Sequence, residues 1–179
     1  AAYKPFSAVG ENLRAVRSQL MLRWFNNASA RTALTIVSAA AGEGRSFIAA
    51  NLAIVFAQQG QRTVLVDGDL RSPAANGQQA LFKLGKGAGL SGTLAGRSGL
   101  ESIQTVTGLP NLSVLAAGAT PPNPQELLGR PNFGELLLAL SAKFDVILFD
   151  SPSGNDYADA EILASRTGAA LMVARKNKS

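Results

Sequence analysis

Three short apolar runs constrain this 179-residue chain more than any other feature: Ala33 to Ser38, Thr63 to Asp67 and Asp145 to Asp150. None alternates apolar with polar residues, as a strand with one wet face does. They therefore read as strands buried on both faces. The segments between them carry helical spacing instead. Leu13, Val16, Leu20 and Trp24 predict an amphipathic helix from about Val9 to Asn26, and Ile48, Leu52, Val55 and Phe56 mark a second, with Gly60 at its C-terminal cap. Asn123, Pro124 and Glu126 fit a helix start as N-cap, first-turn proline and capping-box acid, and Phe133, Leu136, Leu137 and Leu140 give another helical stripe. Leu112 to Ala116 and Ala169 to Ala174 predict further strands, and Tyr157 to Arg166 a last helix. Gly68 to Gly99, rich in glycine and polar residues, reads as loop and insertion with short helical stretches such as Gln78 to Leu84. Strands alternating with helices imply crossover units, hence an α/β fold with a parallel sheet flanked by helices on both faces. The length suits one domain.

Composition narrows the chemistry. There is no cysteine and no histidine, so thiolate metal sites, disulfides, cysteine nucleophiles and a Ser–His–Asp triad are excluded. Catalysis must rest on carboxylates, hydroxyls, arginine, lysine, backbone amides and hard cations. The net charge is +5, but the basic residues are scattered and form no run, so nucleic acid is not an expected partner. Phe47 to Ala57, the longest apolar stretch, is too short to span a bilayer and is interrupted by Asn51. These features point to a cytoplasmic chain.

Ser38 to Phe47 joins a predicted strand to a predicted helix, which is where a P-loop belongs. Small residues let the backbone curl so that successive N–H groups face a phosphate, and the following helix adds its free amides and positive dipole end. Ala41, Gly42, Glu43, Gly44, Arg45, Ser46 and Phe47 are the candidate nucleotide-binding residues, with the Ser46 hydroxyl placed for magnesium. Two positions depart from G-x-x-x-x-G-K-[ST]: Ala39 replaces the first glycine, and Arg45 the lysine. Arginine keeps the charge but is planar, longer and forked. The competing reading is a strand-to-helix turn that binds nothing.

Two further apolar strands end in acids: Asp67, with Asp69 just beyond it, and Asp150. Ligands of parallel sheets sit at the carboxyl ends of the strands, and neighbouring strands lie about 4.8 Å apart. The loop and these three acids can therefore converge on one edge. Carboxylates beside a triphosphate require a cation between them, and Mg²⁺ keeps waters that such acids can hold. Each acid taken singly reads equally as a turn or helix cap.

These residues resemble the bacterial tyrosine kinases (BY-kinases) of exopolysaccharide and capsule loci, particularly the EpsG chain-length-determinant type. Val64 to Arg71 is similar to that family's Walker A′ segment, Ile147 to Pro152 to its Walker B strand, and Pro121 to Gly129 to a stretch that precedes Walker B. Glu11, Arg14 and Arg17 match the Glu-x-x-Arg-x-x-Arg helix motif that mediates ring assembly. The resemblance implies a P-loop NTPase-like fold and an ATP-dependent protein tyrosine kinase of the autophosphorylating type, with ATP and Mg²⁺ as cofactors. It implies Asp67 as the catalytic carboxylate, Arg45 in the place of the phosphate lysine, and Ser46, Asp69 and Asp150 around magnesium. It also implies a membrane-bound chain-length determinant (a polysaccharide co-polymerase) as activating partner, self-association, and a place at the inner face of the bacterial inner membrane. Members commonly end in a tyrosine cluster, whereas this chain carries only Tyr3 and Tyr157, the latter read as a packing residue at a helix start. The family fold runs past the last strand recognised here, so the resemblance implies a domain over 1–179 that lacks the family's C-terminal end.

Two other readings remain open from sequence. A partitioning or switch ATPase of the ParA/MinD type would carry a lysine early in the loop, where Ala40 stands. A non-catalytic nucleotide-sensing module of the polysaccharide machinery would be consistent with Arg45 and the missing tyrosine cluster.

Overall fold

A computed structural model describes residues 7–25, 31–72, 77–155 and 157–176. Helix α1 (Ala8–Arg23) starts at Ser7, whose hydroxyl accepts from the Gly10 amide and so satisfies one of the free first-turn donors. The predicted end at Asn26 lies outside the described residues. Strand β1 (Ala33–Ser38) follows, anchored to α1 by the Trp24 indole N–H donating to the Ala33 carbonyl at 2.8 Å.

Helix α2 (Arg45–Gln58) is buried without interruption from Ala49 to Ala57. A helix with no polar face belongs at the centre of a domain. Its one polar residue there, Asn51, donates from its side-chain amide to the Phe47 carbonyl one turn back. Strand β2 (Thr63–Asp67) comes next, then α3 (Gln78–Leu81), α4 (Gly89–Leu94) and a 3₁₀ turn at Leu100–Ser102. Strands β3 (Gln104–Val106) and β4 (Leu109–Leu115) lead to α5 (Pro124–Gly129) and α6 (Asn132–Ser141). Strand β5 (Val146–Asp150), α7 (Asp159–Thr167) and β6 (Ala170–Val173) complete the described elements.

The sheet order is β3-β4-β2-β5-β1-β6, parallel throughout except for the β3–β4 pair. Successive strand residues point to opposite faces, and here both faces are covered. Leu34, Ile36, Leu65 and Leu148 pack with α1 and α2, while Val64, Val66, Ile147 and Phe149 pack with residues of α4 to α7. That double burial is why the strand runs show no alternation.

Four sequence expectations need correction. The sheet is not wholly parallel: β3 was not foreseen, and it pairs antiparallel with a β4 that begins at Leu109 rather than Leu112. The glycine-rich region after Gly68 holds a buried helix, α4, with Leu90 and Leu94 fully enclosed. Its glycines concealed it, yet Gly89 is required there: its φ is +61° and a Cβ would lie 2.4 Å from the Gly118 nitrogen. The capping box at α5 does not form, since the Asn123 amide donates to the Glu126 carboxylate and no side-chain cap reaches the backbone. Tyr157 lies outside α7 and is largely exposed, with its ring beneath the Arg71 guanidinium at 3.7 Å.

Phe56 of α2 makes an edge-on contact with Phe25, just past the end of α1, the ring centroids 5.4 Å apart. It is fully buried, so Phe56→Ala should cost about 3–5 kcal/mol of unfolding free energy. Urea denaturation followed by circular dichroism checks this, and a loss under about 1 kcal/mol would mean that the α1–α2 contact does not carry that part of the core.

Candidate active site

The site lies at the carboxyl ends of β1, β2 and β5, and strand register assembles it. Asp67 and Asp150 are direct neighbours in the β2–β5 pair, and Ile36 of β1 is level with Asp150. The loop leaving β1 therefore passes beside both acids. Gly68 must be glycine for the chain to turn away from β2: a Cβ would lie 2.7 Å from Leu163 Cδ1 and 2.9 Å from the Asp150 carbonyl oxygen. Its amide instead donates to that carbonyl at 2.8 Å.

The loop itself depends on Gly42 and Gly44, whose φ values of +78° and +92° are costly for any residue with a Cβ. Ser38 and Gly42 to Phe47 line a cavity of about 210 Å³ at the start of α2. Ala41 sits outside that lining, at the exposed tip. Glu43 turns inward and is buried. One of its carboxylate oxygens accepts from the Ala40 amide at 2.9 Å, and the other is buried without a partner. The loop thus spends one of its own N–H groups on an internal acid.

Arg45 lines this cavity, but its guanidinium is engaged by protein acceptors. Its Nε donates to Asp150 Oδ1 at 3.1 Å and its terminal nitrogen to the Ser38 hydroxyl at 3.0 Å. The planar fork spans two acceptors at once, a geometry that a lysine ammonium on its flexible stem does not impose. Ser46 lies close enough to Asp150 to favour its charged form. Asp69, partly exposed, is occupied locally: its Oδ1 accepts from the amides of Arg71 and Ser72 and closes a turn. The structure therefore brings Arg45, Ser46, Asp67 and Asp150 together, and places Asp69 at the rim.

Two residues unforeseen from the sequence complete the cluster. The Gln78 backbone amide donates to Asp67 Oδ2 at 2.8 Å, and its side-chain amide donates to Asp150 Oδ2 at 2.8 Å and to the Ser46 carbonyl at 3.1 Å. Asp159, completely buried, takes a two-pronged bond from Arg71, with Nε at 2.7 Å and the terminal nitrogen at 3.0 Å. The Arg71 position hinted at an acid partner. Nothing local distinguished Gln78 from its neighbour Gln79.

The two central acids are hard to ionise. Burial, then the facing Asp150 charge, raises Asp67 from its ordinary 3.8 to about 7, against the opposing pull of the Gln78 and Asp69 amides. Asp150 is also raised, burial outweighing the neighbouring Arg45, the bond from Gln78 and the nearby Ser46. A folded carboxyl with a raised pKa holds its proton where the unfolded chain has lost it. Stability therefore falls as pH climbs from about 4 to about 7 and levels above that. The melting temperature of the metal-free protein should show this slope, and Asp67→Asn should flatten it. An undiminished slope in that variant would assign the effect to other groups.

Away from the site, Glu11 pairs with Arg14 one turn along α1, while Arg17 reaches across to the Val55 carbonyl of α2 at 3.2 Å. Part of the helix motif is thus engaged within the chain. No helix among the described residues is long and apolar enough to cross a membrane.

The sequence profile of the CobQ/CobB/MinD/ParA nucleotide binding domain (CbiA) matches residues 34–108, which include the loop, α2 and the Asp67 strand. The putative tyrosine-protein kinase CapB of Staphylococcus aureus is 36% identical over 162 residues, covering 90% of this chain and 68% of that protein. The tyrosine-protein kinase YwqD of Bacillus subtilis is 35% identical over 179 residues, covering all of this chain and 73% of its own length. Among solved structures, the kinase domain of the Escherichia coli tyrosine kinase ETK superposes with a TM-score of 0.89 at 31% identity, over 98% of this chain and 67% of that one. At these identities and coverages, the chain belongs to the family of bacterial tyrosine-protein kinases.

Proposed function

We propose that this domain transfers the γ-phosphoryl group of ATP to a tyrosine hydroxyl, and that it serves the machinery setting exopolysaccharide chain length. The observation that carries the reading is the register pairing of Asp67 with Asp150 beside a glycine-bent loop at the N-terminus of α2. Phosphoryl transfer needs little covalent help from a protein. It needs positioned phosphates, neutralised charge and an oriented nucleophile.

In this reading the amides of Ala41 to Phe47 and the start of α2 bind the phosphates. Asp67 orients the tyrosine hydroxyl and accepts its proton, a role suited to a carboxyl held near neutrality. Arg45 must leave Asp150 to reach the nucleotide, exchanging one charged partner for another. The donor set fits magnesium: oxygen ligands only, two buried acids side by side, and the Ser46 hydroxyl near Asp150. Ser46, Asp69 and Asp150 would hold the ion, which supplies charge neutralisation on the transferred phosphate.

Glu11, Arg14 and Arg17 are proposed as a contact between copies in a ring, with Arg17 fixed by α2. The activating partner is a membrane-bound chain-length determinant, which would bring the domain to the cytoplasmic face of the inner membrane. One observation favours a second reading, a non-catalytic nucleotide-dependent assembly module: Arg45 is already paired with Asp150.

Calorimetric titration with ADP should show binding that depends on Mg²⁺. Asp67→Asn should leave that binding within about threefold and reduce phosphate transfer to tyrosine by at least about a hundredfold, the usual scale of a lost general base. Intact binding with no transfer by the unmodified protein, assayed with its activating partner, would favour the assembly module.

A further inference from the structure

Gln78 is 1% exposed, and three of its polar groups have clear positions. Its backbone N–H holds Asp67, and its side-chain NH₂ bridges Asp150 Oδ2 and the Ser46 carbonyl. Those two acceptors dictate which end of the amide is nitrogen. The other end, Oε1, is buried with no hydrogen-bond partner. It lies one amide width from the nitrogen that touches Asp150, inside the acidic cluster. A buried acceptor left unpaired is costly, so its persistence calls for a donor absent from the protein itself.

The approach of this segment is also built in. Gly77 brings the chain so close that a Cβ there would lie 2.5 Å from Asp67 Oδ2. No bulkier residue fits without moving that carboxylate. The tight crossing fixes Gln78 over both acids at once.

We propose that Gln78 is a further positioning residue of the magnesium site, its side-chain carbonyl accepting a hydrogen bond from the hydrated cation held by Ser46, Asp69 and Asp150. This rests on the kinase reading for the place of the cation. Magnesium keeps most of its waters, and every bound water brings protons that need acceptors. Asp150 already receives Arg45 on one carboxylate oxygen and Gln78 on the other, so part of its capacity is taken. A neutral amide oxygen adds an acceptor without adding a third buried charge to a pair that already repel each other. The amide thus serves the site at both ends, with NH₂ on Asp150 and oxygen toward the cation's water.

The test reads cation affinity rather than turnover. Calorimetry with ADP at a series of Mg²⁺ concentrations gives the concentration for half-maximal binding. Gln78→Leu keeps the volume and removes both polar ends. It should need about tenfold more Mg²⁺, the scale of one lost hydrogen bond to a charged assembly. A merely structural role for the side chain would weaken ADP binding equally in EDTA, whereas the proposed role confines the loss to binding with Mg²⁺. Circular dichroism checks folding. If Gln78→Leu does not fold, Gln78→Asn, which withdraws the amide by one methylene, should show the same loss. Equal or tighter Mg²⁺ binding by the Leu or Asn variant would overturn the proposal, as would an equal loss of ADP affinity in EDTA. Mg²⁺-independent binding by the unmodified protein would instead remove the kinase reading, and this inference with it.

Discussion

Everything at the site follows from two carboxylates forced side by side. Asp67 and Asp150 end adjacent parallel strands in direct register, each nearly sealed from water. Like charges at that separation in a low-dielectric setting cannot both ionise freely. The surroundings supply what the pair lacks. Arg45 and Gln78 approach Asp150 from opposite sides, and the amides of Gln78 and Asp69 hold Asp67. The arrangement is a place where positive charge is wanted, and the protein partly fills it with its own arginine.

That substitution for an external charge gives Arg45 a different meaning from a lysine at the same position. A lysine would approach Asp150 through a single point charge and leave it readily. The guanidinium is tied to Asp150 and Ser38 together, in a pocket where its side chain is only 11% exposed. Under the proposed function, nucleotide entry would exchange this internal ion pair for a phosphate contact. The net gain is smaller than the new contact alone, because the old one is lost.

The scaffold is rigid where the site needs it. Helix α2 is buried on every side from Ala49 to Ala57, which holds its N-terminus against the sheet. Arg71 clasps the buried Asp159 and lies over Tyr157, joining the segment after β2 to the start of α7. Asp69 stands between these anchors, its orientation set by the turn it caps.

The strand runs, the P-loop, Asp67, Asp69 and Asp150 were all legible in the sequence, because each rests on local pattern: unbroken apolar runs, glycines at a strand-to-helix turn, acids at strand ends. Strand β3, helix α4 and the failed capping box were not, because three-residue strands and glycine-rich helices owe their form to neighbours rather than propensity. Residue identity likewise said that Arg45 was charged and long, but not which way it would turn. Only the packed sheet decided that, by placing the buried Asp150 carboxylate 3.1 Å from the Arg45 Nε. Gln78 is the clearest case. Its chemistry is visible in one letter, but its position over two acids from separate strands exists only after the chain has closed on itself.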